Sequence, residues 1–281
     1  MAKSAILTVM ERAARKAGRG LARDFGEVEK LQVSTKGPSD FVSDADNRAE
    51  QRIHDVLSEA RPDWGFLGEE SGEIKGKDKQ HRWIVDPLDG TTNFLHGLPH
   101  FAVSIALERD GEIVAGLVYN PINDDMFSAE KGQGAFLNDH RLRVAARRKL
   151  SECILMNGMP HLGRGDHALF LREAATLMRK VAGMRRTGCA SLDLCWVAAG
   201  RVDGMWEAGL APWDMAAGLI IIREAGGIVR DMQGGDAILE TGSVVTGNDL
   251  IVGQTLKVLA EVRQAHQTSI NARKAKAEQA G

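Results

Sequence analysis

Apolar residues open the chain at three- and four-residue spacing: Ile6, Val9, Met10, Ala13, Ala17 and Leu21 share one helical face, with Lys16 and Arg23 on the polar one. Gly18 and Gly20 weaken the end of that helix. Lys36-Gly37-Pro38-Ser39-Asp40 is a loop by composition, and Asp46 precedes a second helix with Ile53, Val56 and Leu57 on its inner face, which stops before Pro62. Gly65 to Gly72 is a short strand running into a polar loop that holds Glu69 and Glu70, and the charged stretch from Glu73 to Arg82 is expected to be a mobile excursion. Trp83-Ile84-Val85 then forms a buried strand, which Pro87 should end because it cannot donate to a ladder.

Two apolar runs follow, Phe101 to Leu107 and Ile113 to Tyr119, and the Asp110-Gly111 pair between them signals an antiparallel hairpin. Met126 to Ala129 and Gly134 to Leu137 continue in strand-like alternation, so the first half is two helices on an antiparallel sheet. The second half changes pattern. His167 to Val181 is helical, as is Ala190 to Gly200 with Leu192, Cys195 and Trp196 inward, and Val202 to Glu207 is a short strand. Met215 to Ala225 is a helix closed by Gly226-Gly227, leading into strand Ile228-Val229. Beyond Ala265 the composition is polar and rich in Ala, Lys and Gln, which predicts a frayed tail.

With 43% hydrophobic residues, 281 residues suffice for a packed core in one large domain or two small ones. No repeat or long linker divides the chain, so two subdomains sharing one cleft are expected. A net charge of -2 gives no global basic field for wholesale nucleic-acid binding, which leaves only local patches such as Arg185-Arg186 and Arg147-Arg148-Lys149. Cys153, Cys189 and Cys195 are odd in number and lack zinc-ligand spacing, which favours a reducing compartment, with Cys189 and Cys195 as core thiols. There is no signal-peptide core and no apolar run near the roughly 20 residues that span a bilayer. The expected location is the cytoplasm.

The candidate chemistry sits where the central strand ends. In Asp86-Pro87-Leu88-Asp89-Gly90-Thr91-Thr92, two carboxylates and the Leu88 carbonyl can converge from a tight turn as hard oxygen ligands of the kind Mg²⁺ prefers. The amides of Gly90, Thr91 and Thr92 open the next segment, and an uncovered helix N-terminus is a phosphate seat. Taken alone, the stretch is equally a plain Asp-Gly turn after a strand. Likewise Asp214 in Trp213-Asp214-Met215-Ala216-Ala217-Gly218 is, taken alone, a helix cap.

Together with Asp46 and Gly68-Glu69-Glu70-Ser71, the stretches at Trp83 to Phe94 and Trp213 to Gly218 resemble the inositol monophosphatase family, over about residues 5 to 260. The resemblance implies an α+β fold, an alternating α/β/α/β/α layered sandwich. It corresponds to one domain over 1–265, with subdomains of about 1–145 and 146–265, and a disordered tail over 266–281. It also implies hydrolysis of inositol monophosphate with two or three Mg²⁺ ions, sensitivity to lithium, and a homodimer. Glu69, Asp86 and the Leu88 carbonyl would hold one ion, and Asp86, Asp89 and Asp214 the second. A water on the first ion would lose its proton through Thr91 to Asp46, with Glu69 also in the catalytic group. Asp89, Gly90, Thr91 and Asp214 would face the phosphate, and Ala190 and Glu207 the hydroxyls of the ring.

Glu69 is preferred to Glu70 by alignment to the family motif. Lys36 matches a family lysine near the outermost metal, with a solvated loop lysine as the alternative. His96 and His100 are read as fixing the loop by hydrogen bonds, because Mg²⁺ prefers oxygen. Two alternatives stand beside this reading. One is a related phosphatase acting on fructose bisphosphate, histidinol phosphate or nucleotide bisphosphates. The other is an RNA-associated partner of the transcription machinery.

Overall fold

The computed structural model describes residues 4–27, 33–37, 40–160 and 165–278, of which 33–37, 40–43 and 273–278 by backbone alone. The first helix is α1 (Ala5–Phe25), started by Ser4, whose side chain accepts from the Leu7 N–H at 3.1 Å. Gly18 and Gly20 lie buried inside it rather than weakening its end. A Cβ at Gly18 would come within 2.6 Å of the Tyr119 ring, and one at Gly20 within 1.8 Å of Arg52, so these positions let neighbours approach the helix backbone. Lys36, Gly37 and Asp40, expected in a loop, lie in β1 (Val33–Gly37) and β2 (Asp40–Ser43), which pair antiparallel. Pro38, Ser39 and the side chain of Lys36 lie outside the described residues. Directly after β2 comes α2 (Asp44–Ala60).

The elements that follow are β3 (Gly65–Gly68), β4 (Gly72–Ile74), β5 (His81–Asp89), α3 (Thr91–Leu95), β6 (Ala102–Arg109), β7 (Glu112–Asn120), β8 (Asp125–Glu130), β9 (Gly134–Leu137) and β10 (His140–Arg141). They build an eight-stranded sheet in the order β10-β9-β8-β7-β6-β5-β3-β4. It is antiparallel as expected except between β3 and β5, which run parallel because the chain turns back through β4 and the segment 75–80 before β5 joins the opposite edge of β3. Asp110 and Gly111 both take positive φ, 52° and 79°, which is the turn the hairpin needs.

Two expectations are corrected here. The charged stretch after Ser71 is not a mobile excursion: it includes β4, paired with β3, and a turn in which Asp78 accepts from the Gln80 N–H at 2.7 Å. The ring of His81 stacks on Trp64 with centroids 4.3 Å apart, which fastens the start of β5. Pro87 does not end the strand either. The β5–β6 register shifts between Asp86 and Asp89, so the proline falls where the ladder asks for no N–H, and β5 continues to Asp89.

The second half contributes β11 (Ile154–Asn157), α4 (His167–Met178), β12 (Gly183–Arg185), α5 (Ala190–Ala198), β13 (Gly204–Ala208), α6 (Pro212–Glu224), β14 (Ile228–Arg230), α7 (Ile238–Thr241), β15 (Ser243–Gly247) and α8 (Asp249–Glu278). A five-stranded mixed sheet has the order β12-β11-β13-β15-β14. Strand alternation assigns the core to three layers of contact. Trp83 and Val85 pack outward with α1 and α2, whereas Ile84, between them, packs inward with α5 and α6. Met156, Met205 and Val244 cover the other side of α5 and α6, and Leu155, Trp206 and Val245 face α4 and α8. The layers therefore run α/β/α/β/α. The middle layer is tight: a Cβ at Gly116 on β7 would lie 2.5 Å from Ile220 and 2.6 Å from the Ala217 carbonyl of α6.

The frayed tail expected from residue 266 is corrected over 266–278, where α8 continues. Ala, Lys, Gln and Arg are good helix formers, and His266 stays buried against the N-terminus of α4.

Candidate functional site

β5, α3, α5, β13 and α6 all end or begin at one cleft of about 380 Å³, lined by Glu69, Asp89, Gly90, Thr91, Ala190, Glu207 and Asp214 among others. Each carboxylate is placed by its local sequence. The register shift at Pro87 turns the end of β5, so that Asp86 accepts the Leu88 N–H at 2.9 Å and is only 2% exposed. Asp89 Oδ2 accepts the Ser191 N–H at 2.6 Å and the Cys189 thiol at 3.1 Å, which ties β5 to the start of α5. Pro212 begins α6, and Asp214 Oδ2 accepts the Ala211 N–H at 2.8 Å. The Glu69 N–H donates to the Val85 carbonyl at 3.2 Å, extending the β3–β5 pairing towards the cleft.

Gly90 is left-handed, φ 92°, and a Cβ there would sit 3.1 Å from the His100 carbonyl and 3.3 Å from Cys189. Glycine is therefore needed both for the turn and for the close approach of the loops. α3 begins at this point, and the first amides of a helix have no acceptors within it. The Thr91 hydroxyl has two acceptors in reach, Asp46 Oδ1 at 3.2 Å and the Leu88 carbonyl at 3.1 Å.

Electrostatics set what this cleft can hold. Burial pushes the Asp86 carboxyl well above its usual range, and the charges of Glu69, Asp89 and Asp214 push it further. Asp214 is pushed up to about 8 by burial and by Asp89, against the pull of the Ala211 N–H. Among the described residues no group of three or more Asp, Glu, His or Cys side chains is already drawn together at metal-binding geometry, and Asp89 is turned towards α5. Even so, Asp86 and Asp214, whose carboxyls are pushed up by burial and by the charges of neighbouring carboxylates, stand with Glu69 and Asp89 as a set of hard-oxygen donors of the kind that a divalent cation fits.

A carboxyl whose pKa is raised on folding stabilises the metal-free protein while it is protonated, and that contribution is lost as the pH rises through the folded value. For Asp214 the loss extends to about pH 8. A divalent cation removes this penalty, so the melting-temperature gain from saturating Mg²⁺ is expected to grow from about pH 6 to about pH 8. A flat or shrinking gain in a thermal-shift series would count against this cluster as the cation site.

The remaining candidates sort themselves. Glu207, at the end of β13, faces the cleft; burial first, then Asp193, Asp214 and Asp89, push its carboxyl well up, so it can donate to a hydroxyl as well as accept. Ala190 is the first residue of α5 and lines the same wall. His96 is exposed, and its backbone N–H closes α3 on Thr92 and Asn93; His100 offers its carbonyl to the Asn93 side chain at 2.7 Å. In both cases it is the backbone that fixes the loop; the His100 ring instead lies 3.7 Å from Asp193 and edge-on to Trp196.

Cys195 is a core thiol, but Cys189 also forms part of the cleft wall. Arg147 is no free surface charge, since it pairs with the buried Asp203 at 3.0 Å, whereas Arg186 lines the cleft. Asp193 and Asn157 at the cleft, and Glu50 behind it, are not among the sequence candidates, and Arg186 figures among them only as part of a basic surface patch. The available signal was a lone carboxylate on an otherwise apolar helix face: Asp193 in Ala190-Ser191-Leu192-Asp193-Leu194, and Glu50 in line with Ile53 and Leu57.

Residues 2–269 match the model of the inositol monophosphatase family. The chain is 62% identical over 259 residues, 92% of its length and 97% of the relative's, to a protein of Mesorhizobium japonicum named inositol-1-monophosphatase. It is 45% identical, over 88% of its length and 92% of the relative's, to the Nus factor SuhB of Escherichia coli K12. A crystal structure of the extragenic suppressor protein suhB from Bartonella henselae superposes with a TM-score of 0.89 at 58% identity, covering 91% of this chain and 98% of that one.

Proposed function

Because the chain belongs to the inositol monophosphatase family, we propose that its cleft hydrolyses inositol monophosphate to inositol and phosphate. The observation that carries this reading is the convergence on one cleft of Glu69, Asp89 and Asp214, whose charges all act on the buried Asp86 behind them, with the start of α3 and Glu207 on the same wall. The chain is a metal-dependent phosphatase, as the family is; the ion would be Mg²⁺, two or three per site, and Glu69, Asp86, the Leu88 carbonyl, Asp89 and Asp214 would hold it. Bound there, the ions would neutralise the phosphate, acidify the attacking water and steady the leaving oxygen.

The chain's own residues do the rest. The α3 start at Gly90, Thr91 and Thr92 seats phosphate oxygens against amides that have no acceptor within the helix. The Thr91 hydroxyl takes a proton from the attacking water as its own proton passes to Asp46, which lies 3.2 Å away. Ala190 and Glu207 meet the ring hydroxyls. Lithium inhibits by taking a cation position with too little charge. The two subdomains meet near residue 145 and share this cleft, and the working form is a cytoplasmic homodimer. Among the described residues no helix is long and apolar enough to cross a membrane.

A phosphate-release screen with Mg²⁺ tests the reading across inositol, fructose, histidinol and nucleotide phosphates, with a lithium titration alongside. Preference for any non-inositol substrate would move the chain to a sister activity. Glu207→Ala is expected to slow hydrolysis of inositol phosphate by about tenfold more than that of a simple aryl phosphate, the worth of one hydrogen bond. Equal losses on both would make Glu207 structural.

The relative named Nus factor SuhB supports a second, non-catalytic reading, association with RNA or the transcription machinery, for which Arg185 and Lys149 are exposed. A salt-dependent pull-down of RNA or polymerase tests it.

A further inference from the structure

Helix α2 carries a second buried carboxylate one turn beyond Asp46. Glu50 is 4% exposed, and each of its oxygens accepts one backbone N–H of the segment that carries Glu69: Oε2 from Glu70 at 2.9 Å and Oε1 from Ser71 at 2.8 Å. The fit is close on the strand side as well. A Cβ on Gly68 would lie 2.4 Å from Glu50 Oε2, so the residue before Glu69 is a glycine where the clamp passes under the chain. The Glu69 N–H is itself paired with the Val85 carbonyl at 3.2 Å. Residues 69 to 71 are thus fixed amide by amide, and the turn is completed by Gly72 at φ 69°.

From this we infer that Glu50 is a positioning residue, which sets the direction of the Glu69 carboxylate into the cleft and through it the cation affinity of the site. Glu50 does not face the cleft; it acts through the backbone of Glu70 and Ser71. Its chemistry suits the task, since only a carboxylate offers two acceptors to two adjacent amides at this depth without leaving a buried donor unpaired. Asp46 and Glu50 stand four residues apart, so one rigid helix face holds the Thr91 hydroxyl on one flank of the site and the Glu69 turn on the other. Hydrogen-bond partners behind a ligand typically change metal affinity or activity by about 10- to 100-fold when removed.

The inference rests on the cation reading of the cleft, and the experiment separates the two. Glu50→Gln keeps the size and one acceptor but turns an amide donor towards a backbone N–H. Mg²⁺ binding is followed by calorimetry and by the Mg²⁺-dependent shift in melting temperature of the whole chain. Expected is a rise of about tenfold or more in the Mg²⁺ dissociation constant, partly restored in Glu50→Asp, which keeps both oxygens. A merely structural glutamate would lower the melting temperature and leave the dissociation constant unchanged; that result in folded Glu50→Gln overturns the inference. Should Glu50→Gln not fold, Gly68→Ala, which displaces the same carboxylate from the other side, decides by the same measurement. Failure of the wild-type chain itself to bind Mg²⁺ would instead remove the cation reading.

Discussion

Asp89→Asn is expected to hydrolyse phosphate monoesters at least about 10³-fold more slowly than the wild-type chain while remaining folded, a loss of about 4 kcal/mol of barrier lowering. The change removes one charge and almost no volume. Asparagine retains an oxygen for the Ser191 N–H, now 2.6 Å from Asp89 Oδ2, so the tie between β5 and α5 survives. What does not survive is the count of negative charge around Asp86. The metal-free variant is expected to be somewhat more stable than the wild type, because Asp89 is one of the charges that disfavour ionisation of Asp86 and Asp214. A melting temperature equal to or above that of the metal-free wild type, together with lost turnover in a phosphate-release assay, is the expected pair of results. Near-normal hydrolysis would remove the cleft from the chemistry.

The second large effect concerns the proton. Thr91→Val keeps the side-chain shape and deletes the hydroxyl, and the chemical step is expected to slow by about 10² to 10⁴ with substrate binding nearly unchanged. Asp46→Asn separates relay from architecture. Asp46 is 1% exposed in the first turn of α2, and its Oδ1 accepts from Thr91 at 3.2 Å. An asparagine oxygen accepts that hydrogen bond just as well, but an amide cannot take up a proton. A purely architectural Asp46 therefore predicts almost full activity, whereas a relay predicts a loss like that of Thr91→Val. The double variant should be little worse than either single one, because groups acting as one unit are not additive. A fully active, Mg²⁺-dependent Asp46→Asn chain would take Asp46 out of the mechanism.

The parts of this site that can be read from sequence are those whose chemistry and local structure coincide. Trp83 to Phe94 holds strand, turn, carboxylates and helix start within one short run, and its alternation alone assigns Ile84 and Val85 to opposite faces. Pairing partners are harder. β11, β12 and β15 are short, and what makes them strands is the sheet they join rather than their own alternation. The course of β5 through Pro87 depends on a register shift against β6, which only the partner strand reveals. Glu50 stayed hidden for a related reason: its acceptors face amides 20 and 21 residues away, so no local pattern contains the pair. The polar composition after Ala265 hides a helix, because Ala, Lys, Gln and Arg are both solvent-compatible and good helix formers.

Asp214 stands at the start of α6, whose residues from Met215 to Ile222 are all buried between the two sheets. Glu69 stands beside β4, an edge strand in which Glu73 and Ile74 are exposed. The two carboxylates therefore belong to parts of the molecule that open at very different free energies. Amides of α6 are expected to exchange with solvent only when nearly the whole chain unfolds, whereas those of β4 are expected to exchange through local opening of the edge beside Glu69. A cation held by both joins the fast-exchanging edge to the slow-exchanging centre. Filling the cleft would then slow deuterium uptake along β3 and β4 by the ratio of total to free cation sites, and leave α6 as slow as before.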